Sequence, residues 1–155
     1  MIEEHQKKVE DIFTSISITL TEEGDIPALY ILMFDDNTIT PILIEDGLDV
    51  TLNEYGIYAV SKAREERADA LIYINKASVV KIDNKNENEI TSMYTGVLKP
   101  SEHPNKEDMI TIIYMACDGE CKILLSKIHK DLRGTPFTRD FKWVDGQKNM
   151  IQPWK

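Results

Sequence analysis

Two histidines and several carboxylates fall near the ends of predicted strands, where they could perform metal or acid–base chemistry. Glu102 and His103 lie in a loop before one strand, and His129 and Asp131 close the next. Imidazole and carboxylate groups bind divalent metals and act as general acids and bases in hydrolases. These four residues are the catalytic candidates for one possible function, a small metal-dependent hydrolase or nuclease.

The two cysteines, Cys117 and Cys121, are predicted to flank a hairpin turn at residues 118–120. If Cys117 faces Cys121, His129 faces Met109 and lies about 27 Å from the thiols, at roughly 3.4 Å per residue. A nucleophile and its base must approach within about 3 Å, so no Cys–His pair is expected. We interpret the cysteines as reduced structural thiols, with redox or metal chemistry as the alternative.

Other catalytic motifs give little support. Glu120-Cys121-Lys122 matches the E-x-K element of restriction-type nucleases, but Glu120 lies at a turn and the chain is acidic. The sequence has no G-x-x-x-x-G-K-[ST] loop, no G-x-G-x-x-G and no G-x-S-x-G elbow. We therefore predict no cofactor and no resident metal.

Charge is unevenly distributed along the chain. Its 18 Lys and Arg against 27 Asp and Glu give −9, which disfavours a nucleic-acid partner. Residues 9–61 hold eleven carboxylates and no Lys or Arg, whereas residues 135–155 are basic and contain Trp143 and Trp154. We predict one domain over 1–134 and a tail over 135–155 that packs on that domain or on a neighbouring chain.

The apolar segments are short. The longest run, Ala28–Phe34, is seven residues, whereas about 20 are needed to span a bilayer. The acidic start, Met1-Ile2-Glu3-Glu4, lacks the basic region of a secretory signal. These features predict a cytoplasmic protein that does not contact a membrane.

Periodicity predicts an α+β domain with two helices and a largely antiparallel sheet of about five to six strands. The order is helix, two strands, helix, then three or four strands. The helices are predicted at 3–18 and 51–67, and the strands at 28–34, 38–44, 70–82, 90–98, 109–117 and 121–129. Loops are predicted at 83–89 and 99–108.

Local signals support several of these elements. Thr51-Leu52-Asn53-Glu54 is a capping box that begins the second helix. Small residues on that helix, with Leu52 and Tyr55, predict close packing on a sheet. Pro41 lacks an amide donor, so its strand is expected at a sheet edge or bulge.

Four short strings occur in order along the second half of the chain. They are ALIYINKA at 70–77, PSEHPNKE at 100–107, Asp118-Gly119 and KIHKD at 127–131. This series resembles a set of small uncharacterised bacterial, archaeal and phage-borne proteins with the same layout across most of the chain. In that set the first string carries Glu and Trp where this chain has Lys76 and Ser78, and the resemblance implies no activity.

The order of helices and strands is also similar to roadblock or profilin-like domains, which act as dimerising adaptors. Together with the missing catalytic motifs, this favours a non-enzymatic binding or accessory module. We expect it to act through protein contacts, as a homodimer or with a protein partner.

Overall fold

A computed structural model describes residues 1–44, 49–80 and 106–155 of the chain. In these ranges, two helices and seven strands confirm the predicted α+β class. The elements are α1 (Glu3–Glu23), β1 (Leu29–Met33), β2 (Ile39–Ile42), α2 (Leu52–Glu65), β3 (Ala70–Val80), β4 (Lys106–Ala116), β5 (Cys121–Lys130), β6 (Pro136–Thr138) and β7 (Lys142–Asp145).

The strands form one sheet in which every neighbouring pair is antiparallel. Its order is β2-β1-β3-β4-β5-β6, and β7 also pairs with β5. Among the described strands, β2 lies at the edge of the sheet, and its Pro41 pairs with Ile31 of β1. Phe34 N–H donates to the Thr38 carbonyl at 3.0 Å. Hydrogen-bonded and non-hydrogen-bonded residue pairs alternate along two antiparallel strands, so Ile31–Pro41 is a non-hydrogen-bonded pair. The missing amide hydrogen of Pro41 therefore removes no hydrogen bond between β1 and β2.

The sheet separates two apolar clusters. Val9, Phe13 and Leu20 of α1 pack on one face, and Tyr55, Ala59 and Ala63 of α2 pack on the other. The chain from Gly146 onward also packs on the α2 face, where Ile151 and Trp154 contact the second cluster. This gives the sheet a helix on each side, so side chains on both of its faces are buried.

The two helices differ in how well their ends were predicted. The Thr51 hydroxyl accepts from Glu54 N–H at 3.1 Å, which confirms the cap of α2. Leu52 is 66% exposed, so its assignment to the packed face was wrong. Helix α1 continues past residue 18 and ends at Gly24, which has φ +83° and donates to the Leu20 carbonyl at 2.8 Å.

The hairpin of β4 and β5 is present, but its predicted register was wrong by two residues. Cys121 pairs with Met115, not Cys117, and Met109 pairs with Lys127. Cys117 bonds elsewhere, because its N–H donates to the Asp69 carbonyl at 2.8 Å and its carbonyl accepts from Trp154 N–H at 3.0 Å.

Four further predictions change or fall outside the described ranges. Strand β4 begins at Lys106, so the loop predicted through residue 108 was too long. Residues 136–138 and 142–145, read from sequence as part of a tail, are strands. The loop at 83–89 and the strand at 90–98 lie outside the described residues. Neither α1 nor α2 is long and apolar enough to cross a membrane.

Candidate functional site

His129, the first candidate from the sequence, lies at the far end of β5. Its half-buried ring stacks on Phe137 of β6, with ring centroids 5.5 Å apart. The guanidinium of Arg139 lies 5.3 Å from the same Phe137 ring. In the described residues, His129 is therefore part of a stacked aromatic and cationic group.

Asp131 organises its own turn. Its carboxylate accepts from Arg133 N–H at 2.8 Å and from Thr135 N–H at 2.9 Å. Glu102 and His103, the other two candidates, lie outside the described residues. Within residues 1–44, 49–80 and 106–155, no three His, Cys, Asp or Glu side chains are grouped so that they could hold a metal ion. The metal-dependent hydrolase stays a prediction from sequence.

Both cysteines are free thiols. Burial raises the pKa of Cys121 and is also the main reason that the pKa of Cys117 is raised. Cys121 begins β5, eight residues before His129, so about 27 Å of strand still separates thiol and imidazole despite the corrected register.

The E-x-K residues are engaged in other contacts. Both carboxylate oxygens of Glu120 accept from the amino group of Met1 at 2.6 Å. Lys122 forms an ion pair with Asp145, and this hydrogen bond raises the pKa of Lys122. Glu120 and Lys122 thus contact different partners, with no shared metal-binding geometry among the described side chains.

One buried polar pair was missed in the sequence. His5 of α1 is 3% exposed, and its Nδ1 lies 2.8 Å from the Tyr114 hydroxyl of β4. Burial is the largest cause of the raised pKa of Tyr114. Because both groups lie inside the α1 cluster, their contact stabilises the fold and is not a surface site.

A concave surface that is lined mainly by apolar residues lies on the opposite face of the sheet, beside α2. On this face the sheet presents directly paired residues in rows that cross the strands. The lower row consists of Leu32, Leu71, Met115 and Cys121. All four are at most 6% exposed, because α2 and the chain end pack over them.

The middle row lies on the same face, two residues further along each strand. It consists of Tyr30, Tyr73, Ile113 and Ile123. All four side chains are only half-buried. With strands about 4.8 Å apart, the row spans about 14 Å. The sheet thus extends an apolar surface beyond the area that α2 covers.

Three residues of the middle row, Tyr30, Tyr73 and Ile113, line a groove of about 560 Å³ together with α2 and the chain end, here named the α2 groove. Tyr30, Tyr73, Ile113 and Met115 form its floor. Its walls are residues of α2 and of the chain end: Leu52, Asn53, Gly56, Ile57, Val60, Ser61, Arg64, Met150 and Ile151.

The floor of the α2 groove is held in place by a third tyrosine. Tyr30 stacks on Tyr73 with centroids 4.4 Å apart and meets Tyr55 edge-on at 4.9 Å. The Tyr55 hydroxyl donates to the Ile42 carbonyl at 2.5 Å and accepts from Tyr30 N–H at 2.9 Å. A Cβ at Gly56 would lie 3.0 Å from the Tyr30 hydroxyl, so glycine allows α2 this close approach.

The comparisons with known proteins give no assignment, since no family model, no curated protein and no solved structure matches the chain significantly. The two resemblances noted from the sequence therefore stay predictions. The α2 groove was not predicted from the sequence, where the only available signal was two tyrosines inside otherwise aliphatic strands.

Proposed function

We propose that this protein is a non-enzymatic binding module that holds an apolar segment of a partner protein in the α2 groove. The middle row carries the proposal, because three of its side chains, Tyr30, Tyr73 and Ile113, are in direct register, line the groove and stay half-buried beside a fully buried row. Contiguous exposed apolar surface of this kind is typical of interaction sites.

The walls extend the apolar surface. Leu52 and Ile57 of α2 are 66% and 64% exposed, and Met150 is 49% exposed. Full burial of such a side chain contributes about 1.5–3 kcal/mol. Two or three of these contacts contribute about 3–9 kcal/mol before the cost of association, which is about 4 kcal/mol or more, so we expect a short segment to bind with submillimolar affinity at best.

Peptide selection tests this proposal directly. A random peptide library displayed on phage is selected against the purified protein, and enriched peptides are titrated against two variants. Ile57→Asp places a charge in the α2 groove, whereas Ile18→Asp places one on α1, where Ile18 is 54% exposed. We expect Ile57→Asp to weaken binding at least about tenfold and Ile18→Asp to leave it unchanged. Equal binding to both variants, or no enriched peptide, would contradict the proposal.

We also propose that copies of the chain associate with each other. The acidic stretch over residues 9–61 and the basic residues of 135–155 carry opposite charge, so these two regions of different copies attract each other at short range although each copy has a net charge of −9. Sedimentation velocity over a concentration series should give a rising mass that falls back in high salt, because salt screens exposed charges. A monomer at every concentration and salt level would remove this part of the proposal.

A further inference from the structure

We infer that the segment bound in the α2 groove carries a carboxylate beside its apolar side chains, and that Arg64 binds this carboxylate. The inference rests on the proposed function and specifies its partner. It concerns the chemistry of the partner segment, which apolar packing alone does not determine.

Among the described residues that line the α2 groove, Arg64 is the one that carries a charge. It lies in the last turn of α2, and its neighbours along the wall are Val60 and Ser61. Since the rest of the lining in the described ranges is uncharged and largely apolar, this cation marks where an anionic group of the partner would lie.

The guanidinium has no anionic partner among the described residues. Its Nη2 donates to the Gln152 carbonyl at 3.5 Å, a long contact that leaves most of its donors available. Two carboxylates close to Arg64 in sequence bind other cations, since Glu65 pairs with Lys62 at 3.7 Å and Asp69 pairs with Lys155. Glu66 forms no ion pair with Arg64 within the described ranges.

Guanidinium chemistry and the charge of the whole chain together define the ligand. The planar fork of an arginine matches a carboxylate with two parallel hydrogen bonds, which are stronger beside apolar walls than in water. The net charge of −9 repels a polyanion at long range. One Asp or Glu among apolar residues therefore fits the groove better than an acidic run.

The test uses a random dodecapeptide phage library selected in parallel against the native protein, Arg64→Gln and Arg133→Gln. Arg133 is an exposed arginine outside the α2 groove, so it serves as the matched control. We expect peptides selected on the native protein and on Arg133→Gln to carry Asp or Glu near Leu, Ile, Phe or Trp, and those selected on Arg64→Gln to lack this acidic preference.

Synthetic versions of the enriched peptides then quantify the effect by calorimetry. Replacing the acidic residue by its amide should weaken binding to the native protein about tenfold and leave binding to Arg64→Gln unchanged. Groove-dependent binding without an acidic preference would overturn this inference and leave the proposed function intact. No enriched peptide on any of the three proteins would overturn both.

Discussion

His5 and Tyr114 form a polar contact inside an otherwise apolar cluster, so we expect loss of this contact to lower the stability of the fold. The Nδ1–hydroxyl distance of 2.8 Å indicates a well-formed hydrogen bond. Removing one partner of a buried bond leaves the other unsatisfied, at a cost of about 1–3 kcal/mol. Burial also keeps Tyr114 protonated, because its folded-state pKa lies above the value of about 10 in an unfolded chain.

Tyr114→Phe is expected to lower the free energy of unfolding by about 1–2 kcal/mol at pH 7.5. Above pH 10, unfolded wild-type chains lose the Tyr114 proton while folded chains keep it, so wild-type stability falls as pH rises. The difference in free energy of unfolding between wild type and Tyr114→Phe should therefore be smaller at pH 10.5 than at pH 7.5. Urea unfolding at the two pH values measures both effects.

Tyr58→Phe is the control for this prediction, because Tyr58 is 48% exposed on α2. Its free energy of unfolding should follow wild type at both pH values. A constant gap between wild type and Tyr114→Phe across the alkaline range would contradict the linkage to the Tyr114 proton.

Both thiols should react slowly with alkylating reagents in the native protein. Burial raises their pKa values, so little thiolate is present near pH 7.5, and Cys121 is only 4% exposed.

Iodoacetamide labelling followed by mass spectrometry measures this reactivity. Labelling of both thiols should be several-fold slower than labelling of glutathione, slower for Cys121 than for half-buried Cys117, and faster at higher pH. Single Cys117→Ser and Cys121→Ser variants assign the rates, and fast labelling of Cys121 at neutral pH would contradict its burial.

Secondary-structure elements were predictable where a local signal defines them. The hydroxyl of Thr51 and the amide of Glu54 are three residues apart, so the start of α2 could be read from the sequence. The end of α1 was predicted at residue 18 because the helical spacing of apolar residues that indicated this helix runs from Val9 to Ile16. Buried Leu20, four residues after Ile16, and the left-handed Gly24 are the signals that place the end correctly.

Hairpin register and the α2 groove were not predictable from local signals. Asp118-Gly119 indicates a turn, but the partners of Cys117 are Asp69 and Trp154, which are distant in sequence. The strands containing Tyr30 and Tyr73 were both predicted. That these two tyrosines stack follows only from the pairing of β1 with β3, and sequence periodicity carries no such information.

The cap of α2 can be tested by Thr51→Ala, which removes the acceptor for Glu54 N–H. We expect the free energy of unfolding to fall by about 1 kcal/mol. Thr51→Ser keeps the hydroxyl and should stay within a few tenths of a kcal/mol of wild type. Equal urea midpoints for the Ala and Ser variants would show that the cap contributes nothing.

At the scale of the whole molecule, the last residues join the β4–β5 turn to α2. Asn149 N–H donates to the Gly119 carbonyl at 2.8 Å. The indole N–H of Trp154 donates to the Ala68 carbonyl at 2.8 Å, just after α2 ends. These contacts hold Met150 and Ile151 in place as a wall of the α2 groove.

The same substitution at the two tryptophans measures how much the Trp154 hydrogen bond contributes to stability, with Trp143 as the matched control. Trp154→Phe removes a hydrogen bond to Ala68, whereas the buried Nε1 of Trp143 has no partner among the described residues. Both substitutions delete the same atoms, so we expect Trp154→Phe to be less stable than Trp143→Phe by about 1 kcal/mol. Chemical unfolding of the two variants measures the difference, and a reversed order would contradict the assigned role of Trp154.

Pro41 of β2 disfavours one mode of association between copies of this protein, in which the β2 strand pairs with a strand of a neighbouring molecule. The backbone nitrogen of Pro41 faces away from β1 and has no hydrogen to donate. A strand of a neighbouring molecule that paired with β2 would therefore lack one inter-strand hydrogen bond. Because β2 is the outermost strand of the described part of the sheet, this missing hydrogen bond disfavours growth of the sheet from copy to copy. Concentrated solutions should accordingly show no fibrils that grow from β2, even though the adjoining strands are rich in residues that favour them.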